Sequence, residues 1–369
     1  MILKNCTFFN EQFEKEFGDI KIEDGKITEI GIFGQDGKDM SGKIIMPGMI
    51  DIHIHGGGGS DFCDATPEAL DTISRYLAKR GVTGFCGTTM TLDQSSLKKA
   101  VTNANNYKSK YSKLLGVNLE GPYISPSKVG AQNPEFVRAG SAEEFDELYG
   151  IYNKIKLITI APEAFDSKKF IQYVSKKCVV SVGHTSANAE QCKDGIKNGI
   201  SHATHLFNAM TPMSHREAGV VGTAFDNDIT CELICDTHHI CPAVLRNAFK
   251  ILGEDRACVI SDSMRGAGVG SGEFELGGQP VFVKEGDTVA RLEDGTIAAS
   301  ITNVYDEFKN LISIGIDEKT ALKSCTINPA KVIGEDDKVG SIAKGKCADL
   351  IAADKNLDIV EVYIDGKLA

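Results

Sequence analysis

His53 and His55 stand one residue apart at the end of the apolar run 45–53. Alternate residues of a strand point the same way, so both imidazoles can reach one ion while Ile54 packs elsewhere. Gly56 to Gly59 follow and let the backbone turn tightly. Such a pair gains weight only from further ligands. Glu120 supplies one, in Leu119-Glu120-Gly121-Pro122. A carboxylate closing an apolar strand must be paired, metal-bound or neutralised, with a structural salt bridge as the alternative. His184, in Gly183-His184-Thr185, and His205, in Thr204-His205-Leu206, would each read alone as a hydrogen-bonded core histidine. Two His and one Glu at three strand ends form a zinc-type set with an open fourth position. His53 and His55 make room for a second ion sharing Glu120. Asp262 closes Val259-Ile260-Ser261-Asp262. It suits a general base that then acts as general acid, taking a proton from the attacking water and delivering it to the leaving group. A cap for the following turn is the alternative. Zn is the first expectation for the one or two divalent ions, although Fe(II), Mn and Co suit the same donors.

These residues are scattered, and only a particular architecture gathers them. Eight short apolar runs recur: 45–53, 82–88, 114–120, 156–161, 178–184, 200–205, 230–236 and 257–262. Helix-like segments separate them, among them 67–80, 141–153, 187–198 and 242–252. Alternating β and α units imply parallel strands covered on both faces, and eight of them imply a closed (β/α)8 barrel of the TIM type. The C-terminal strand ends of a barrel converge on one face, where active sites lie. An open doubly wound sheet is the competing architecture, but no GxGxxG opens the first unit. The two chain ends differ from the middle. Residues 1–45 and 338–369 hold short strand-like pieces with Asp24-Gly25 and Asp365-Gly366 as hairpin signals. They predict one small, discontinuous β-sandwich domain, with the barrel, 46–337, inserted between its parts.

Composition bounds the partners. A chain of 369 residues fits one large barrel plus a minor domain, and 42% hydrophobic residues supply a substantial core. The net charge of -11 argues against nucleic acid. The 11 Cys form no CxxC pair and no disulfide framework, and read as reduced thiols. Residues 1–17 carry acids and no long apolar run, so no signal peptide is expected. No stretch approaches the roughly 20 apolar residues of a membrane span. A cytoplasmic location follows as the expectation.

The motifs then resemble a known family. Pro47-Gly48-Met49-Ile50-Asp51 with His53 and His55, Glu120-Gly121-Pro122, Ala161-Pro162-Glu163 and Gly183-His184-Thr185 come first. His202-Ala203-Thr204-His205-Leu206-Phe207-Asn208-Ala209-Met210, Ser261-Asp262, Asn328-Pro329-Ala330 and Ala348-Asp349-Leu350 complete the set. Over essentially the whole chain this is similar to the N-acetylglucosamine-6-phosphate deacetylases of the amidohydrolase superfamily. The segment 202–210 is the most specific part. The resemblance implies that Glu120, His184 and His205 hold a metal, that His53 and His55 hold a second in members that keep it, and that Asp262 is the acid/base. It implies that His239 hydrogen-bonds the substrate's acetyl carbonyl, and that Asn208 and the backbone at Ala209 contact its phosphate. It also implies that Arg216 reaches the phosphate bound by a neighbouring subunit, hence a homodimer. A guanidinium suits that task through paired, charge-assisted hydrogen bonds.

Several positions depart from the family pattern. Gln132 stands where His is usual, Thr237 where Gly is usual, Ser263 where Ala is usual, and 299–303 matches loosely a stretch lining the sugar pocket. Gln132 is expected to face the substrate, and the changes at Gln132, Thr237 and 299–303 bear on the sugar rather than on the metal chemistry. A different substrate such as N-acetylgalactosamine 6-phosphate is therefore the nearest alternative. Cyclic amidases and deaminases are more distant ones, since the end of the fourth run carries no lysine to bridge two metals. A non-catalytic sugar-phosphate sensor would be expected to lose Asp262 or a ligand, and all are present.

Overall fold

A computed structural model, which describes every residue but residue 35, contains the eight parallel strands as one sheet. They are β1 (Met49–Ile54), β2 (Val82–Thr89), β3 (Lys113–Glu120), β4 (Ile155–Ile160), β5 (Val179–Val182), β6 (Ile200–Ala203), β7 (Thr230–Leu233) and β8 (Ala257–Val259). Each pairs with its neighbour in chain order. The ring closes just beyond β8, where the Asp262 amide donates to the His53 carbonyl at 3.0 Å and the His55 amide to the Ser263 carbonyl at 2.9 Å.

The intervening helices form because apolar residues recur at helical spacing behind good caps. In α1 (Pro67–Lys79), the Thr66 hydroxyl accepts from the Ala69 amide at 3.2 Å and Pro67 occupies the first turn. Leu70, Ile73 and Leu77 are then buried on one face. They join Phe85, Val117, Ile158 and Val180 in the main core between strands and helices. A separate cluster, with Ile50, Cys86, Leu157 and Cys258 from early strand positions, packs against Ala330, Ile333 and Val339. It plugs the barrel at the end opposite the site.

The chain ends share one sheet, in which Ile44–Pro47 pairs antiparallel with Leu350–Ala353 and parallel with Ile2–Phe9. Leu3, Phe8, Ile20, Ile27, Leu350 and Tyr363 form its own core. Both Asp-Gly turns are left-handed at both residues, with φ of 49° and 78° at Asp24-Gly25 and 47° and 69° at Asp365-Gly366. Such turns match strand twist in two-residue hairpins. The run 45–53 proves to be two strands in different sheets, divided at Gly48. A Cβ there would lie 2.0 Å from the Thr83 hydroxyl, so only glycine lets the chain pass this close to β2. We propose a discontinuous end domain and a barrel domain that meet at Gly48 rather than between residues 45 and 46.

One element was absent from the sequence reading. Gly272–Leu276, Gln279–Val283, Val289–Arg291 and Ile297–Ser300 form a four-stranded antiparallel sheet between β8 and the helix Val304–Ser313. Leu276 and Ala299 in it pack with Met90 and Ala131, so it leans over the barrel mouth.

Candidate active site

Strands β5, β6 and β8 stop two or three residues short of the predicted site residues. His184, His205 and Asp262 follow in left-handed backbone, with φ of 46°, 28° and 47°. This conformation ends strand pairing and is uncommon outside glycine. Strain of this kind concentrates at functional sites, where surrounding structure enforces it. Here it turns each side chain from the strand direction into the barrel mouth.

The turned side chains meet at Glu120. Its Oε1 lies 3.0 Å from His184 Nε2 and 2.9 Å from His205 Nε2. Its Oε2 lies 3.2 Å from His55 Nε2, and Oε1 lies 3.5 Å from His53 Nε2. Ligand atoms of His53, His55 and Glu120 fall within 4.8 Å of one another, as do those of Glu120, His184 and His205. The two groups share Glu120. The Lys128 carbonyl accepts from His184 Nδ1 at 2.9 Å, which leaves Nε2 to act as a ligand. His53 Nε2 is buried without a hydrogen-bond partner. An orphaned, inward-facing imidazole nitrogen beside carboxylates fits a divalent cation.

Asp262 borders the His53, His55 and Glu120 group, with Oδ1 at 3.3 Å from His55 Nε2 and 3.6 Å from His53 Nε2. Burial would raise its pKa, but His53 and His55 outweigh that and hold the carboxyl below the usual range. It is therefore ionised, as a general base must be. His239 Nδ1 lies 2.7 Å from Asp236 Oδ2. A carboxylate only accepts, so Nδ1 keeps its proton and Nε2 is the atom left for a ligand. Burial opposes the charge on Asp236, yet its bonds to His239 and His238 hold its pKa low.

A cavity of about 500 Å³ opens over this cluster, within the range of small-molecule sites. His55, Glu120, Gln132, His184, His205, Asn208, Ala209, His239 and Asp262 all line it. Arg216 does not: it lies on an exposed loop away from the cavity of its own chain. Gln132 lines the cavity, but its amide is engaged within the protein. Its Oε1 accepts from the Thr91 amide at 2.6 Å, which obliges Nε2 to face Glu120 Oε2, at 2.7 Å. Gln132 thus orients the shared carboxylate. Sequence reasoning missed Lys128, the one Lys or Arg among the lining residues, and the lip formed by Leu276, Thr296, Ile297 and Ala298. It also missed Glu232 and His202 beneath the cluster, although a charged residue inside the run Cys231-Glu232-Leu233-Ile234 was a signal.

Thr237 adopts φ 67°, a conformation costly for a β-branched residue and free for glycine. Relief of about 1–2 kcal/mol of strain, against about 0.5–1 kcal/mol of added chain entropy, makes Thr237→Gly neutral to about 1 kcal/mol stabilising. Chemical denaturation measures this, and a clear destabilisation would show that the Thr237 side chain contributes contacts worth more than the strain.

The barrel and the histidine–carboxylate cluster at its strand ends define an enzyme built to hold a divalent cation. The lysine that bridges metals in cyclic amidases has no counterpart here. The lysine of β4, Lys156, lies near its opposite end and pairs with Glu335 at 2.7 Å. The chain belongs to the amidohydrolase family, which matches residues 44–369, and within it to the N-acetylglucosamine-6-phosphate deacetylases. It is 35% identical to the N-acetylglucosamine-6-phosphate deacetylase of Bacillus subtilis, over 100% of this chain and 97% of that one. It is 30% identical to an N-acetylgalactosamine-6-phosphate deacetylase of Escherichia coli O157:H7, over 95% and 94%. The crystal structure of N-acetylglucosamine-6-phosphate deacetylase from Pasteurella multocida superposes with a TM-score of 0.94 at 30% identity, over 100% of this chain and 99% of that one. No helix among the described residues is long and apolar enough to cross a membrane.

Proposed function

We propose that this enzyme hydrolyses the acetamide of N-acetylglucosamine 6-phosphate to glucosamine 6-phosphate and acetate. The observation that carries this reading is the convergence of four imidazoles on Glu120 with an ionised Asp262 beside them, inside a cavity of sugar-phosphate size. Glu120, His184 and His205 would hold one divalent ion, with His53 and His55 holding a second that shares Glu120. When bound, the ion supplies Lewis acidity, making water a nucleophile near neutral pH and polarising the acetyl carbonyl. Zn comes first and Fe(II), Mn or Co next, on the nitrogen and carboxylate donors present.

The chain's own groups do the rest. Asp262 takes the proton of the attacking water and returns it to the amine nitrogen as the C–N bond breaks. His239, oriented by Asp236, points Nε2 at the acetyl oxygen and stabilises charge developing there. To donate from Nε2 while Nδ1 bonds Asp236, the ring must be doubly protonated. Asn208 and the Ala209 backbone hold the phosphate end, which fixes the acetamide against Asp262. Met90, Ala131 and Ile297 add apolar surface to the cavity lining.

A dianionic phosphate needs cations, and one chain brings only Lys128 to the cavity. Arg216, exposed and outside the cavity of its own chain, would supply another cation to a neighbouring copy, so the reading includes a homodimer. Eleven free cysteines suit a reducing, cytoplasmic compartment. Arg216→Ala should raise KM for the phosphorylated sugar about 10- to 100-fold, the size of a lost charged hydrogen bond of about 1.5–3 kcal/mol, with kcat changed far less. Unchanged steady-state constants would remove Arg216 from the site.

Acetate release from N-acetylglucosamine 6-phosphate, N-acetylgalactosamine 6-phosphate and unphosphorylated N-acetylglucosamine, at equal metal loading, tests the reading. Strong preference for the first is expected. Preference for the galactosamine compound would keep the chemistry and change the sugar. No acetate from any of them, with metal bound, would end the deacetylase reading.

A further inference from the structure

Glu232 is fully buried on β7, in an otherwise apolar run. A carboxylate in such a place is costly unless its partners compensate. Its Oε2 accepts from His53 Nδ1 at 2.9 Å and from the His205 backbone amide at 3.0 Å. Its Oε1 faces His202 Nε2 at 3.3 Å. His202 is fixed in turn by a 2.6 Å contact between its Nδ1 and the Thr230 hydroxyl, while its Nε2 and Glu232 Oε1 face each other without a hydrogen bond.

The consequence lies in His53. A carboxylate only accepts, so Nδ1 must carry a proton whatever the charge of the ring. Nε2 is then the atom that can be bare, and it faces Glu120 Oε1 at 3.5 Å and Asp262 Oδ1 at 3.6 Å with no hydrogen-bond partner of its own. The same Glu232 oxygen holds the backbone of His205 in its left-handed turn. One carboxylate therefore touches a member of each candidate ligand group.

We propose that Glu232 is a positioning residue that makes His53 a metal ligand and ties the His53/His55 position to the Glu120/His184/His205 position. The inference rests on the two-ion reading above. Outer hydrogen-bond partners of metal-bound histidines typically change metal affinity 10- to 100-fold. Glu232 therefore controls whether the second ion is held, and it does so without touching substrate.

The test is the ion content and affinity of the full-length protein after chelation and reconstitution with Co(II), read by elemental analysis, titration and visible absorption. Thermal unfolding checks the fold. Wild type should take two ions. Glu232→Ala should keep the first and bind the second about 100-fold more weakly. Glu232→Gln, whose amide oxygen still accepts from Nδ1 but lacks the charge, should take both, with the second about 10-fold weaker. Unchanged affinity for the second ion in folded Glu232→Ala overturns the proposal. If that variant does not unfold cooperatively, unchanged affinity in Glu232→Gln overturns it instead. A wild type that takes a single ion sinks the two-ion reading, and this proposal with it. Two ions held at wild-type affinity in both variants sinks only the role of Glu232.

Discussion

Asp262→Asn should lower kcat by about 10²- to 10⁴-fold, the usual contribution of a positioned acid/base, or about 2.7–5.5 kcal/mol of barrier. The substitution keeps the shape of the side chain. It removes the proton acceptor at Oδ1 that lies 3.3 Å from His55 Nε2. Asp262 borders the metal groups but belongs to neither three-residue set, so metal content should stay at the wild-type level. KM should change little, because in the proposed reading Asn208, Ala209 and Arg216, not Asp262, would anchor the sugar phosphate. Steady-state kinetics with elemental analysis on the same sample reads all three quantities. Near-normal kcat would end the assignment of Asp262 as acid/base. A fall in kcat matched by loss of metal would recast it as a ligand.

The place of Asp262 at the site was legible in the sequence because it closes an apolar run, and a charge at that place needs a reason. The same argument found Glu120, and the strand rhythm found the barrel that gathers them. What escaped has a common cause, distance along the chain. Glu232 was hidden because its partner, His53, lies 179 residues away. The partners of Gln132 were hidden in the same way. Its substitution for the usual His suggested a substrate contact, whereas Thr91, 41 residues away, fixes its amide toward Glu120. Pattern also hides backbone. Nothing in the alternation of apolar residues announces the left-handed turns at His184, His205 and Asp262, which end the strands early and turn these side chains into the cavity. The antiparallel sheet of residues 272–300 is short-stranded and polar on one face, and only its contact with Met90 and Ala131 makes it a lip of the site.

Removal of divalent ions should abolish acetate release, and their return should restore it, with protons released as they bind. The direction follows from the ligand set. In the metal-free protein, burial disfavours charge on His53, but Glu232, Glu120 and Asp262 overcome it and hold the imidazole well above its ordinary value. Burial disfavours charge on His55 too, and Asp262 and Glu120 push it up to about 10. Both rings are thus protonated at neutral pH and serve as the cations of the cluster. Their pKa values are raised on folding, so their contribution to stability is complete below the unfolded value of about 6.5. It is lost as pH rises through the folded value of about 10 for His55. A metal ion needs neutral imidazole and displaces these protons. Apparent affinity must therefore rise with pH up to the folded value of about 10. The bound ion also replaces the cationic charge that alkaline pH removes, so loaded protein should resist pH 9 better than stripped protein. At an ion concentration of about 1,000 times Kd the stabilisation is about 4 kcal/mol. Calorimetric titration in buffers of different ionisation enthalpy counts the protons released. Release of one or more per protein at pH 7 is expected. Pure uptake of metal without proton release would mean that His53 and His55 are neutral beforehand, and that the carboxylates around them are balanced by some other charge.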